Sequence, residues 1–298
     1  MTASPFDHLH PDIRHLATAD RQTRKACILT DRWISYPAGE DAIERLFEMV
    51  DMPRRLRMPS ILFWGHPNMG KTHIQKRFIE LFAARDGKEL PKPFLKPKSF
   101  GPILWVELND SLTEKRFYLD ILTALEAPAP DVTTPRLQAM VLRHLGARAI
   151  RLSIFDELQR VTELRPKDQR AILNVMKYLS NQQSMGIAGF GSGEARALIK
   201  SDPHLEERFD IVALPMWTQK ARWAVEAVRA RLEYMPLRKP TEVDRELMEA
   251  LLFYSNSLLG RMFGLLERAA IKALDQEECL SASLIETVAL RGRRDEDG

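Results

Sequence analysis

The segment Gly65-His66-Pro67-Asn68-Met69-Gly70-Lys71-Thr72 constrains this chain more than any other. Two glycines bracket four residues and lead into a lysine and a threonine, the pattern GxxxxGK[ST]. Such a loop can turn its backbone N–H groups inward around an anion, and it needs a strand before it and a helix after it. Both are legible. Ser60–Trp64 (SILFW) is a short apolar run between Pro59 and Gly65 and predicts a buried strand. Beyond the loop, Ile74, Phe78, Leu81 and Phe82 recur at i, i+4, i+7 and i+8, one face of an amphipathic helix. The segment therefore predicts a nucleoside triphosphate site. Lys71 would reach the β- and γ-phosphates, the Thr72 hydroxyl would ligate Mg2+, and the backbone from Gly65 to His73 would wrap the phosphates.

The rest of the pattern has to accommodate that loop. ILWVEL (Ile103–Leu108), IRLSIFDE (Ile150–Glu157) and MGIAGFGSG (Met185–Gly193) predict three more strands, and Ile211–Leu214 a fifth. Helical spacing separates them at Phe117–Leu125, Leu137–Leu145 and Arg170–Leu179. Strands alternating with helices from residue 60 to about 215 imply an α/β fold with a parallel sheet. From Trp217 onward only helices are predicted: Ala221–Leu232, Glu242–Tyr254, Arg261–Leu274 and Ala282–Leu290. The expected organisation is a polar extension over residues 1–30, an α/β core over 31–216 and a helical domain over 217–298.

The third strand ends in Asp156-Glu157, which places one carboxylate beside the Mg2+ and a second where it can polarise an attacking water. Having both argues for hydrolysis rather than a nucleotide-dependent scaffold. Three further candidates follow from strand ends. Ser192 closes the next strand and either touches the γ-phosphate or shapes a turn. Asn109 ends the second strand, where it either restrains Glu157 or caps the strand. Arg208, in DPHLEERFD (Asp202–Asp210), is either an arginine finger on a neighbouring subunit's nucleotide or a surface partner of Glu206 or Glu207.

Charge is spread unevenly. The whole chain carries a net +3, yet Arg54–Lys98 holds 11 basic residues against 3 acidic ones, a local net of +8. Hydrophobic residues at 45% and charged residues at 29% exclude disorder and collagen-like repeats. Cys27 and Cys279 stand alone, so neither a disulfide framework nor a cysteine metal site is expected. His8, His10 and His15 lack a second ligand cluster. No apolar run approaches a membrane span, and the N-terminus does not read as a signal peptide; a cytoplasmic protein is expected.

DRWISYPAGEDAIERL (Asp31–Leu46), RMPSILFWGHPNMGKT (Arg57–Thr72), SDPHLEERFD and MPLRKP (Met235–Pro240) together resemble the TniB family, TnsC-like AAA+ ATPases of transposition modules. The resemblance runs over roughly residues 30–290. It implies an AAA+ P-loop ATPase core with a parallel sheet and a small C-terminal helical lid. It also implies that Arg208 acts on a neighbour's nucleotide, because AAA+ sites are shared between subunits. Trp33, Ile34 and Tyr36 match the segment that flanks adenine, and Arg261, after Gly260, is similar to a second sensor that reports the nucleotide to the lid. The Arg85–Lys98 loop departs from the family pattern.

The implied partners are duplex DNA, a DDE-type transposase and further copies of the chain, with ATP and Mg2+ at the site. For DNA, the sequence itself offers Lys88, Lys92, Lys96 and Lys98 among prolines, and Lys115 and Arg116 after the second strand. Lysines of this kind grip phosphates without reading sequence, although they also serve simply to solvate a loop. The competing expectation is a helicase-loader or chaperone-like AAA+ protein that remodels a protein partner.

Overall fold

A computed structural model describes residues 6–88, 90, 98–218 and 222–296, with side chains from 292 onward left aside. The chain folds as two compact units: residues 38–66 with 71–214, and residues 1–37 with 67–70 and 215–298.

The first unit is an α/β layer structure. Its five strands are β1 (Ser60–Trp64), β2 (Ile103–Glu107), β3 (Leu152–Asp156), β4 (Gly186–Gly191) and β5 (Phe209–Ala213). They pair in the order β2-β3-β4-β1-β5, and every pair is parallel. β1 to β4 are buried almost throughout, which explains their unbroken apolar runs. The fifth strand begins two residues earlier than its apolar run suggests, because Phe209 and Asp210 pair with Ser60 and Ile61. At this edge position the alternation is weak and the burial mixed, so the hydrophobic pattern alone misplaces the start.

Helices α2 (Pro37–Asp51), α3 (Lys71–Arg85), α4 (Glu114–Ala124), α5 (Thr134–Ala147), α6 (Pro166–Gln183), α7 (Gly193–Lys200) and α8 (Pro203–Glu206) surround the sheet in sequence. One core cluster ties β2, β3 and β4 to α4, α5 and α6 through residues such as Phe117, Ile121, Phe155, Leu173 and Ile187. Because the sheet is wholly parallel, the carboxyl ends of β1, β3 and β4 open at one edge, where α/β folds hold their ligands.

The second unit is helical: α1 (Arg21–Ile28), α9 (Arg222–Leu232), α10 (Arg245–Ser255), α11 (Leu259–Ala273) and α12 (Ala282–Glu296). Residues before α1 belong to this fold rather than trailing from it. Leu9, Ile13, Ala17 and Cys27 form a buried cluster that takes in the half-buried ring of Tyr234. Arg24 is 3% exposed; its guanidinium donates to Pro236 O and to both carboxylate oxygens of Glu278. His10 caps the 3-10 turn Pro11–Thr18, and no group of His, Cys, Asp or Glu among the described residues is arranged to hold a metal. No described helix is long and apolar enough to cross a membrane.

Candidate active site

Lys71 begins α3 directly under the loop. It is 9% exposed, and its Nζ donates to Gly65 O at 3.1 Å and His66 O at 2.9 Å. Burial pulls its pKa below the usual lysine value, against the upward pull of Asp156 and Glu157. A desolvated ammonium held only by two carbonyls is a strong attractor for an anion. Thr72 donates from Oγ1 to Asp156 Oδ2 at 2.9 Å, joining the loop to the end of β3. Asp156 is 3% exposed, and burial raises its pKa despite the opposing contacts from Gln75 and Thr72.

Gln75 is a residue the sequence reading passed over. It is wholly buried on α3 and lowers the Asp156 pKa, although neither end of its amide reaches strict hydrogen-bond geometry with any described group. Its position one turn after Lys71 was the available signal, since a polar residue on the buried face of a helix needs a reason.

Glu157 follows Asp156 with a left-handed backbone, φ 59° and ψ 38°, at the head of a 3-10 turn, Leu158–Glu163. Its carboxylate accepts from Gln159 Nε2, while Asn109 Oδ1 accepts from the Ser111 N–H at 3.1 Å. The printed partner of Glu157 is therefore on its own turn, and Asn109 shapes the bend after β2. Ser192 caps α7: its Oγ accepts from the Glu194 N–H at 3.3 Å and donates to the Glu194 carboxylate. The Gly65 N–H donates to Gly191 O at 3.1 Å, so the end of β4 lies against the start of the loop.

Arg208 lies elsewhere. It immediately precedes Phe209, which pairs with the first residue of β1, so it sits at the amino edge of the sheet, opposite Thr72 and Asp156. Its Nη2 donates to Asn181 Oδ1 at 3.1 Å, and no ion pair to Glu206 or Glu207 is formed. From that edge it cannot serve the nucleotide of its own chain.

In the helical unit, the loop tip Pro67–Gly70 is built into an aromatic cluster. Asn68 and Gly70 both adopt positive φ, 62° and 78°. A Cβ on Gly70 would lie 3.1 Å from Leu259 Cδ2 and 3.4 Å from the Tyr36 hydroxyl, so glycine is required there on space as well as conformation. Tyr36 donates from its hydroxyl to Met69 O at 3.4 Å, and the Gly260 N–H donates to Asn68 O at 2.8 Å. Arg261 is thus one residue from that contact, exposed on the first turn of α11. Trp33 and Tyr36 pack 5.7 Å apart, and Ile34 is buried beside them in sequence. Trp217 and Trp223 complete the group, with ring centroids 5.9 and 6.2 Å from Tyr36. Neither tryptophan stood out in the sequence, because only the fold brings them to residue 36.

Of the candidate DNA residues, Lys92 and Lys96 lie outside the described residues. The other four are all ion-paired: Lys88 with Asp86, Lys98 with Glu126, Lys115 with Asp131 and Arg116 with Asp120. Arg54, Arg55 and Arg57, by contrast, are exposed and form no ion pair among the described residues.

A five-stranded parallel sheet with this order, a phosphate-binding loop after β1, adjacent carboxylates after β3 and an additional helical unit define the AAA+ class. Solved structures of that class share the fold. The Aeropyrum pernix ORC1 protein in complex with DNA aligns with a TM-score of 0.63 at 16% identity, over 91% of this chain and 70% of that one. The A. pernix ORC2 protein with ADPNP and ADP gives 0.60 at 16%, over 89% and 70%. Domain III of the Thermotoga maritima replication initiation protein DnaA gives 0.52 at 12%, over 94% and 96%. No curated protein sequence matches the chain. Residues 24–219 match the sequence profile described as bacterial TniB protein, and the chain belongs to that family.

Proposed function

We propose that the chain is an ATP-dependent, DNA-binding AAA+ regulator of DNA transposition. ATP assembles copies of it on target DNA, largely without regard to sequence, as a ring or helical filament. The assembly recruits or activates a DDE-type transposase, and hydrolysis dismantles it. The observation that carries this reading is the intact set Lys71, Thr72, Asp156 and Glu157 in a chain of the TniB family. Two of the similar folds come from proteins solved with DNA or with adenine nucleotides, which is consistent with it.

The chemistry follows from the side chains. Lys71 exchanges two carbonyl contacts for phosphate oxygens, which are better partners for an ammonium. The paired oxygens of Thr72 and Asp156 fit Mg2+, a hard cation bound through few protein oxygens and completed by phosphate. Bound there, Mg2+ would neutralise charge on the phosphate oxygens. Glu157 accepts a proton from the attacking water, and Trp33, Ile34 and Tyr36 flank the base. Arg208 works on the nucleotide of an adjacent copy, so the oligomer is favoured only while ATP is bound. A cytoplasmic location suits these partners.

A second reading, a helicase-loader or chaperone-like ATPase that remodels a protein partner, is favoured by one observation. All four described loop cations proposed for DNA are already paired with carboxylates. Co-sedimentation with non-specific duplex DNA separates the two. An ATP-dependent pellet at moderate salt is expected; its absence with both ATP and a slowly hydrolysed analogue would exclude target-DNA binding. Substituting Glu157→Gln should leave ATP affinity intact, lower turnover by about 100-fold or more and prolong the DNA-bound state. Unchanged hydrolysis by that variant would remove Glu157 from the role of base.

A further inference from the structure

Gln159 joins the two strand ends that the chemistry uses. Its Nε2 donates to Glu157 Oε2, and its Oε1 accepts from the Ser192 N–H at 3.2 Å. The partners themselves dictate the amide's orientation, since a carboxylate can only accept and a backbone N–H can only donate. No other side chain of this length offers a donor and an acceptor at once without charge. The surroundings are shaped to admit it: a Cβ on Gly191 would lie 3.1 Å from Gln159 Oε1. The neighbouring Arg160 donates to Leu108 O and pairs with Asp110, which anchors the same turn to the end of β2.

The Ser192 N–H is therefore occupied in the nucleotide-free chain, at a point where Gly191 O already accepts from Gly65, the first residue of the phosphate loop. An anion arriving at this edge competes with Gln159 for that N–H. Losing the bond at one end frees the whole amide and with it the carboxylate at the other. A hydrogen bond from Gln159 also occupies an oxygen of the group that must take up a proton.

We infer that Gln159 is a positioning residue: it holds Glu157 aside until the terminal phosphate of the nucleotide takes over the Ser192 N–H. The inference rests on the ATPase reading above, with Glu157 as base.

Three measurements test it. In the nucleotide-free protein, NMR-detected amide exchange should show Ser192 protected in the wild type and unprotected in Gln159→Ala. The affinity ratio of a non-hydrolysable ATP analogue over ADP should rise about five-fold in Gln159→Ala, because the competitor for the terminal phosphate is gone. Turnover should show a higher kcat at unchanged KM. Gln159→Glu keeps the acceptor for Ser192 and loses the donor for Glu157, so it should retain the wild-type nucleotide preference while raising kcat. In a Glu157→Gln background, Gln159→Ala should no longer change the residual rate. An unaltered nucleotide preference, or a kcat that falls together with thermal stability, overturns the inference. Absence of hydrolysis in the wild type removes the ATPase reading separately, and Ser192 exchange and nucleotide preference still decide whether Gln159 competes with phosphate.

Discussion

Arg24 and Lys71 are both buried cations, and their surroundings differ in one respect. Arg24, in the helical unit, meets a carboxylate of its own chain at both ends of its fork and a carbonyl besides. Lys71, in the α/β unit, meets two carbonyls and forms no ion pair. A cation buried with its anion is part of the architecture. A cation buried short of an anion is waiting for one. The surface cations Lys88, Lys98, Lys115 and Arg116 form a third case, neutralised but exposed, where pairing contributes little to stability and is easily exchanged.

The sharpest way to break this contrast is to remove each buried cation and follow stability and ligand binding together. Arg24→Ala leaves Glu278 buried without its partner and should destabilise the chain by about 3–5 kcal/mol, read from denaturant unfolding. Lys71→Ala should weaken ATP binding by about 100-fold while the melting temperature of the nucleotide-free protein stays level or rises. If Lys71→Ala unfolds the protein as Arg24→Ala does, the distinction between the two collapses.

The two carboxylates should also respond to pH with opposite sign. Burial raises Glu278, but Arg24 and the Arg238 N–H outweigh it and hold the group below its ordinary value. Its stabilisation is present above the unfolded-state pKa and is lost as pH falls through the folded one. Asp156 is raised by burial, so the folded chain is favoured at low pH and loses that advantage as pH rises through the elevated pKa. Melting curves across pH should therefore show Glu278→Gln flattening the acid limb. Asp156→Asn should raise the neutral-pH melting temperature without nucleotide, while abolishing Mg2+-dependent binding of ATP. The smallest effect concerns the surface. Asp131→Ala releases Lys115 and should strengthen duplex DNA binding by no more than about five-fold in a low-salt titration. A weakening would place DNA elsewhere, and the unpaired Arg54, Arg55 and Arg57 would be the next positions to replace.

What the sequence reveals here is whatever depends on near neighbours. The phosphate loop, its flanking strand and helix, and the Asp156-Glu157 pair are contiguous or periodic, so they are visible without a fold. Features made by distant pairs are not. Gln159 reads as one more polar residue after an acidic turn until β3 and β4 are laid side by side. Trp217 and Trp223 read as the start of a helical region until they meet Tyr36. The first thirty residues look like a polar extension because Arg24 counts as surface charge when its partner is 254 positions away. β5 is misplaced by two residues for a related reason: its start is set by pairing with β1, not by its own hydrophobicity.

The Arg24–Glu278 contact also bears on how the molecule is made. A chain leaves the ribosome from its amino end at about 5–20 residues per second. The sheet can be completed once residue 213 has emerged, since every strand lies before that point. The arm carrying Arg24 is synthesised among the first residues, yet its carboxylate partner is among the last. For most of synthesis that arm exposes Leu9, Ile13 and Ala17 with nothing to cover them, and Arg24 stays hydrated. The earliest part of the chain to be born is thus among the last to settle.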